Sequence, residues 1–136
     1  MRNVVTLATF WYAKVNPVSN DWIYGSARQL LQSLQKGEIS SRELLESYIA
    51  RIERFNPELN AVVANDFANA RQRADEADAA RAKGESWGPL HGLPITVKDT
   101  YDLAGSPSTH GVPAWRDNIA SSDSVVVAPA AAIEAA

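Results

Sequence analysis

Apolar residues recur at helical spacing in three stretches of the chain, and each stretch is fenced by residues that start or stop helices. Leu30, Leu31 and Leu34 form a short stripe. Ahead of it, Ser26 and Gln29 have the spacing of a capping box, and Gly37 behind it stands where a left-handed C-terminal cap is expected. A second capping box, Ser40 with Glu43, opens a wider face made of Leu44, Leu45, Tyr48, Ile49, Ile52 and Phe55. Ile39 and Leu44 are placed as a hydrophobic staple across that box. Asn56-Pro57 is expected to end this helix, because the residue before proline is pushed away from the helical region. Asp66 can cap a third helix running to about Lys83, with Phe67, Ala70, Ala74, Ala77 and Ala80 inward. Its arginines and acids read as a solvated outer face with helix-compatible ion pairs.

Between and after the helices the pattern changes. Leu59 to Ala64 reads as a short strand, with Ala61 to Ala64 suited to burial, and Pro94 to Val97 reads as another. From Gly84 onward glycine and proline become frequent; Asp102 to Gly111 is turn-rich, and Ser121 to Ala128 returns to a β-branched run. Helices flanking short apolar strands predict an α/β organisation rather than a helical bundle. No internal repeat and no linker marks a second domain.

Bulk composition narrows the classes. At 136 residues, with 46% hydrophobic and 21% charged, the chain has the size and make-up of one globular domain. A net charge of −3 gives no electrostatic case for nucleic acid or acidic lipid as a partner. The absence of cysteine excludes disulfides, thiolate metal sites and a cysteine nucleophile, and fits a cytoplasmic protein. Val4 to Ala13 is mostly apolar and follows Arg2, but Lys14 interrupts it and no small-x-small site follows. It is also too short for a membrane-spanning helix. Residues 1–23 are therefore read as a variable N-terminal extension, 24–128 as the body of the chain and 129–136 as a divergent alanine-rich tail.

Several chemistries lack their motifs. No glycine-rich stretch ends in Gly-Lys-Ser or Gly-Lys-Thr, and no Gly-x-Gly-x-x-Gly is present, so a nucleotide fold has no support. His91 and His110 each precede a glycine; with Asp99 or Asp102 they could ligate a metal, but no helical His pairing supports this. Hydrogen bonding within turns is the expected role of both. No Gly-x-Ser-x-Gly elbow supports a Ser-His-Asp triad. No metal and no organic cofactor is expected.

Lys98 stands apart because of its setting. It directly follows the short β-branched run Ile95-Thr96-Val97, itself fenced by Gly92 and Pro94. A lysine buried there would lose proton affinity and could act as a base near neutral pH. The whole segment from Gly88 to Asp99, reading Gly-Pro-Leu-His-Gly-Leu-Pro-Ile-Thr-Val-Lys-Asp, resembles the lysine-bearing segment of the amidase signature family. Asp102-Leu103-Ala104-Gly105 and Ser122 to Val127 resemble its continuation, and Gly37 to Leu44 and Arg54 to Ala61 resemble its N-terminal helices. The resemblance covers roughly residues 24 to 128.

This resemblance implies the N-terminal portion of the amidase signature fold, namely helices followed by the first strands of a large mixed sheet, here incomplete. It implies hydrolysis of carboxylic amides by a Ser–cis-Ser–Lys triad in which Lys98 is the base, with a small-molecule amide as substrate. Both serines of that triad belong to a glycine- and serine-rich region that nothing after Ala128 resembles. None of Ser106, Ser108, Ser121, Ser122 or Ser124 matches one of them. The expectation is an amidase fragment, itself inactive. The alternatives are a non-catalytic interaction module of amidase ancestry and a fragment of the amidase subunit of a tRNA-dependent amidotransferase.

Overall fold

The computed structural model describes residues 22–128. The proposed N-terminal extension, apart from its last two residues, and the proposed tail lie outside the described residues. Three α-helices carry the fold: α1 (Ala27–Lys36), α2 (Ser41–Leu59) and α3 (Phe67–Ala82). Short 3-10 turns at Trp22–Tyr24 and Pro113–Trp115 frame them in sequence.

Both capping boxes form. In α1 the Ser26 hydroxyl accepts the Gln29 N–H while the Gln29 side chain accepts the Ser26 N–H. Gly37 takes the left-handed conformation at φ 70° and closes the helix. In α2, Ser40 and Glu43 make the same exchange. The staple residues Ile39 and Leu44 meet in one buried cluster with Leu30, Leu34 and Leu93. A second cluster joins Leu45 and Ile49 of α2 to Ala74 of α3, with Phe67 and Ala70 packed at its margin. Fully burying a leucine or isoleucine such as Leu44 or Ile49 contributes about 2 kcal/mol.

Helix α2 does not stop before Pro57; it runs through it to Leu59. Proline removes only the N–H that would have reached back one turn, and here that turn is the last one. Asn60, left-handed at φ 47°, donates its N–H to the Asn56 carbonyl at 2.7 Å. The Asn56 side chain also bonds both the N–H and the carbonyl of Val62, each at 2.8 Å. Asn56 thus turns the chain out of the helix two positions past the proline. Phe55, expected on the inner face, is exposed, with the guanidinium groups of Arg51 and Arg54 lying 5.1 and 4.9 Å from its ring centre.

Neither of the two expected strands forms among the described residues, and the β-branched run at 121–128 is not a strand either. Residues 60–66 and 94–97 pass as irregular chain without a partner strand, and Val127 and Ala128 fold back onto Ser124 in a turn. A strand exists only through its neighbour's hydrogen bonds, and no described segment supplies one. Among the described residues the single β-pairing is an isolated antiparallel bridge between Pro107 and Ile119. The described part is therefore helical, and the α/β expectation holds only in its helices.

Candidate active-site segment

The segment from Gly88 to Asp99 is fastened to the helices at its beginning and left open at its end. His91 is buried and does not bond within its own turn alone. Its Nδ1 accepts the Trp87 N–H at 3.1 Å, so Nε2 carries the proton and donates to the Ala77 carbonyl of α3 at 2.9 Å. Trp87 meets the His91 ring edge-on at 5.0 Å, and its other neighbour is the Arg73 guanidinium, 4.6 Å from the indole centre. Leu93 then enters the α1–α2 cluster.

Gly92 sits at the tightest point. Its φ is +75°, and a Cβ there would collide with the Ser41 hydroxyl and lie 2.6 Å from Arg81 Nη2. Those two groups belong to a polar node at the start of α2. The Asp78 carboxylate of α3 accepts the N–H groups of Ser41 and Arg42 at 2.8 and 3.0 Å. Arg81 donates to Asp78 at 2.7 Å and to the Ser41 hydroxyl at 2.9 Å. Burial opposes ionisation of Asp78, but the hydrogen bonds from the Arg42 and Ser41 N–H groups, the Ser41 hydroxyl and Arg81 together outweigh it and hold the carboxyl below its ordinary range. The charged face of α3 is therefore more than a solvated surface, because Asp78 and Arg81 tie α3 to the start of α2, and Arg81 lies against Gly92 of the lysine-bearing segment.

Beyond Leu93 the fastening ends. Ile95 and Val97 are 41% and 37% exposed, and among the described residues no backbone hydrogen bond reaches residues 94–97. Lys98 is exposed as well, and its ammonium has no ion pair or hydrogen bond among the described residues. The burial expected for a basic lysine is thus not present here. Only the Lys98 carbonyl is engaged, accepting the Tyr101 N–H at 2.9 Å.

Past Lys98, residues 99–124 close on themselves. Gly105 and Ala120, Ala120 and Ser106, and Ser108 and Asn118 are joined by backbone hydrogen bonds of 2.9 to 3.0 Å. The buried Ser108 hydroxyl donates to Asp102 and lies 3.3 Å from His110 Nε2. Here serine serves the carboxylate directly, and histidine does not stand between them, so the three residues do not form a relay in Ser-His-Asp order. Asp99 accepts from Thr109. No group of three or more His, Asp or Glu side chains gathers as a metal site among the described residues. Ser106, Ser108, Ser121, Ser122 and Ser124 make no hydrogen bond to the Lys98 ammonium among those residues.

The family description Amidase matches residues 43–132. The chain belongs to the amidase family. Among curated relatives it is 44% identical over 102 residues to an indoleacetamide hydrolase of Bradyrhizobium diazoefficiens, covering 75% of this chain and 20% of that one. An acylamidase of Rhodococcus erythropolis is 37% identical over 102 residues, covering 75% and 21%. A glutamyl-tRNA(Gln) amidotransferase subunit from Synechococcus is 46% identical over 78 residues, covering 57% and 16%. A solved structure from a vestigial protein complex, bearing on the evolutionary origins of an s-triazine catabolic enzyme, superposes with a TM-score of 0.74 at 31% identity. That alignment covers 80% of this amidase-family chain and 24% of the other. The chain therefore spans about a fifth of the length of the relatives it matches.

Proposed function

We propose that this chain is the lysine-bearing N-terminal portion of an amidase that hydrolyses small carboxylic amides, with Lys98 as the base of a Ser–cis-Ser–Lys triad. The observation that carries the reading is Lys98 in its full motif setting within the family match at residues 43–132. In the complete catalytic unit a neutral Lys98 takes the proton of the bridging serine, which takes that of the nucleophilic serine. The nucleophile's oxygen bonds the amide carbon, backbone N–H groups hold the oxyanion, and the C–N bond breaks as the amine leaves with a proton. Water then releases the acyl group. Burial of Lys98, which this chain alone does not provide, comes with the serine-bearing region and the sheet it belongs to. The chain by itself is inactive on this reading, and a cytoplasmic setting goes with it.

General amide hydrolases fit better than the amidotransferase component, because their similarity extends over 102 residues rather than 78. The test is a single-chain chimera in which residues 27–128 replace the matching segment of the Bradyrhizobium indoleacetamide hydrolase. Hydrolysis of indoleacetamide should persist and fall by about 10²–10⁴ with Lys98→Ala. Lys98→Arg should be equally inactive, since guanidinium cannot give up its proton. Full activity in the Lys98→Ala chimera overturns the assignment. Turnover by the isolated chain, lost in Lys98→Ala, overturns its inactivity.

A further inference from the structure

An open cleft of about 330 Å³ lies where α2 ends and α3 begins, bordered by Ile52, Asn56, Pro57 and Phe67. Its volume falls at the lower end of small-molecule sites, which run from about 300 to 1,000 Å³. It shares no residue with the lysine-bearing segment. Two polar side chains of this region are already spent: Asn56 on both backbone groups of Val62, and Asp66 on the N–H of Asn69. Glu53, Asn60 and Asn65 also line the cleft and are exposed, and among the described residues their side chains make no hydrogen bond or ion pair.

The electrostatic features of the cleft share one sign. Glu53 brings a carboxylate. Helix α2 ends on the Pro57, Glu58 and Leu59 carbonyls, which accept no backbone hydrogen bond among the described residues, so the negative end of the helix dipole lies here. Phe67 adds an aromatic ring, whose faces attract cations, and it is held from behind by its packing on the Leu45, Ile49 and Ala74 cluster. Arg71 lies close enough to feel the Glu53 charge, but its guanidinium is forked onto Glu46 at 2.7 and 3.0 Å. No group of three or more His, Asp or Glu side chains gathers among the described residues, so the donor set does not suit a metal ion. A single carboxylate with amide oxygens and an apolar floor suits an organic cation.

We propose that this cleft binds a primary alkylammonium ion. The three N–H donors of the ammonium go to the Glu53 carboxylate and to the side-chain oxygens of Asn60 and Asn65. A short alkyl stem then lies on Ile52, Pro57 and Phe67. The site uses no residue of the proposed triad, so it stands or falls apart from the catalytic reading.

The test is a titration of the isotope-labelled 136-residue chain with butylammonium chloride, followed by amide NMR, with potassium chloride and butanol as parallel titrants. Butylammonium should give saturable shifts at the side-chain amides of Asn60 and Asn65 and at the backbone amides of Glu53 and Phe67. Neither potassium nor butanol should saturate there. Glu53→Gln should weaken binding by about tenfold, because it removes the charged acceptor. Glu53 is exposed and unbonded, so the rest of that variant's spectrum should stay as in the unaltered chain; Asn65→Ala, in the connecting loop, gives a second reading and should also weaken binding. Lys98→Ala should bind normally. The absence of saturable shifts, an equal response to potassium or butanol, or unchanged affinity in Glu53→Gln overturns the site.

Discussion

Gly92 shows how one residue can join three parts of the fold. Its backbone passes so close to Ser41 and Arg81 that no side chain fits, and its left-handed φ is one that other residues adopt at a cost. Gly92→Ala should therefore destabilise the chain by about 2 kcal/mol or more. A lowered urea midpoint at unchanged slope is the measurement; a midpoint equal to wild type would show that the segment is not clamped there. The glycine is legible in the sequence as part of a motif, but its reason is not. That reason lies in Ser41 and Arg81, which are 51 and 11 positions earlier in the chain. The same holds for His91, whose partner carbonyl at Ala77 belongs to a helix that sequence pattern alone cannot orient.

At the scale of elements, the N-terminus of α2 has a partner for each of its first three N–H groups. They go to Asp78 Oδ1, Asp78 Oδ2 and the Ser40 hydroxyl, so two caps share one helix end. Ser40→Ala should cost about 1 kcal/mol. Asp78→Ala should cost more, about 2–3 kcal/mol, because it strands two backbone donors and the Arg81 guanidinium together. Chemical denaturation of the two variants side by side checks the order, and a smaller loss for Asp78→Ala would refute the shared cap. Helix starts are readable because capping is local: Ser26, Gln29, Ser40, Glu43 and Asp66 all act within three residues. The end of α2 is not, because Pro57 only biases the residue before it, and the Asn56 side chain finds both backbone groups of Val62. Among the described residues the strands expected at 59–64 and 94–97 do not form, since β-pairing depends on partners that local pattern does not contain.

On the scale of the whole molecule, charge rather than apolar area sets the outer seam between α2 and α3. Glu46 accepts from Arg42 at 2.8 Å and from Arg71 at 2.7 and 3.0 Å, and Arg42 also reaches Asp75 at 2.6 Å. The Arg71 contact is foremost in drawing the Glu46 carboxyl down to about 2. A carboxyl lowered by folding stabilises the fold above its unfolded value and ceases to as pH falls through its folded one. Stability should therefore decline between about pH 4.5 and pH 2, by no more than about 1 kcal/mol for this half-exposed group. Thermal melts across that window should be flatter for Glu46→Gln, and an unchanged slope would remove Glu46 from the seam. The cross-ties between the helices and the lysine-bearing segment also bear on how the unit comes into being. Asp78 reaches back 37 residues to Ser41, Arg81 reaches back 40, and His91 only 14. Closure entropy grows only slowly with loop length, by about 0.6 kcal/mol per doubling, so the three ties differ little in what they cost to close. At ribosomal speeds of about 5–20 residues per second, these ties are all available once Gly92 has emerged, before any later strand exists to compete for the lysine-bearing segment.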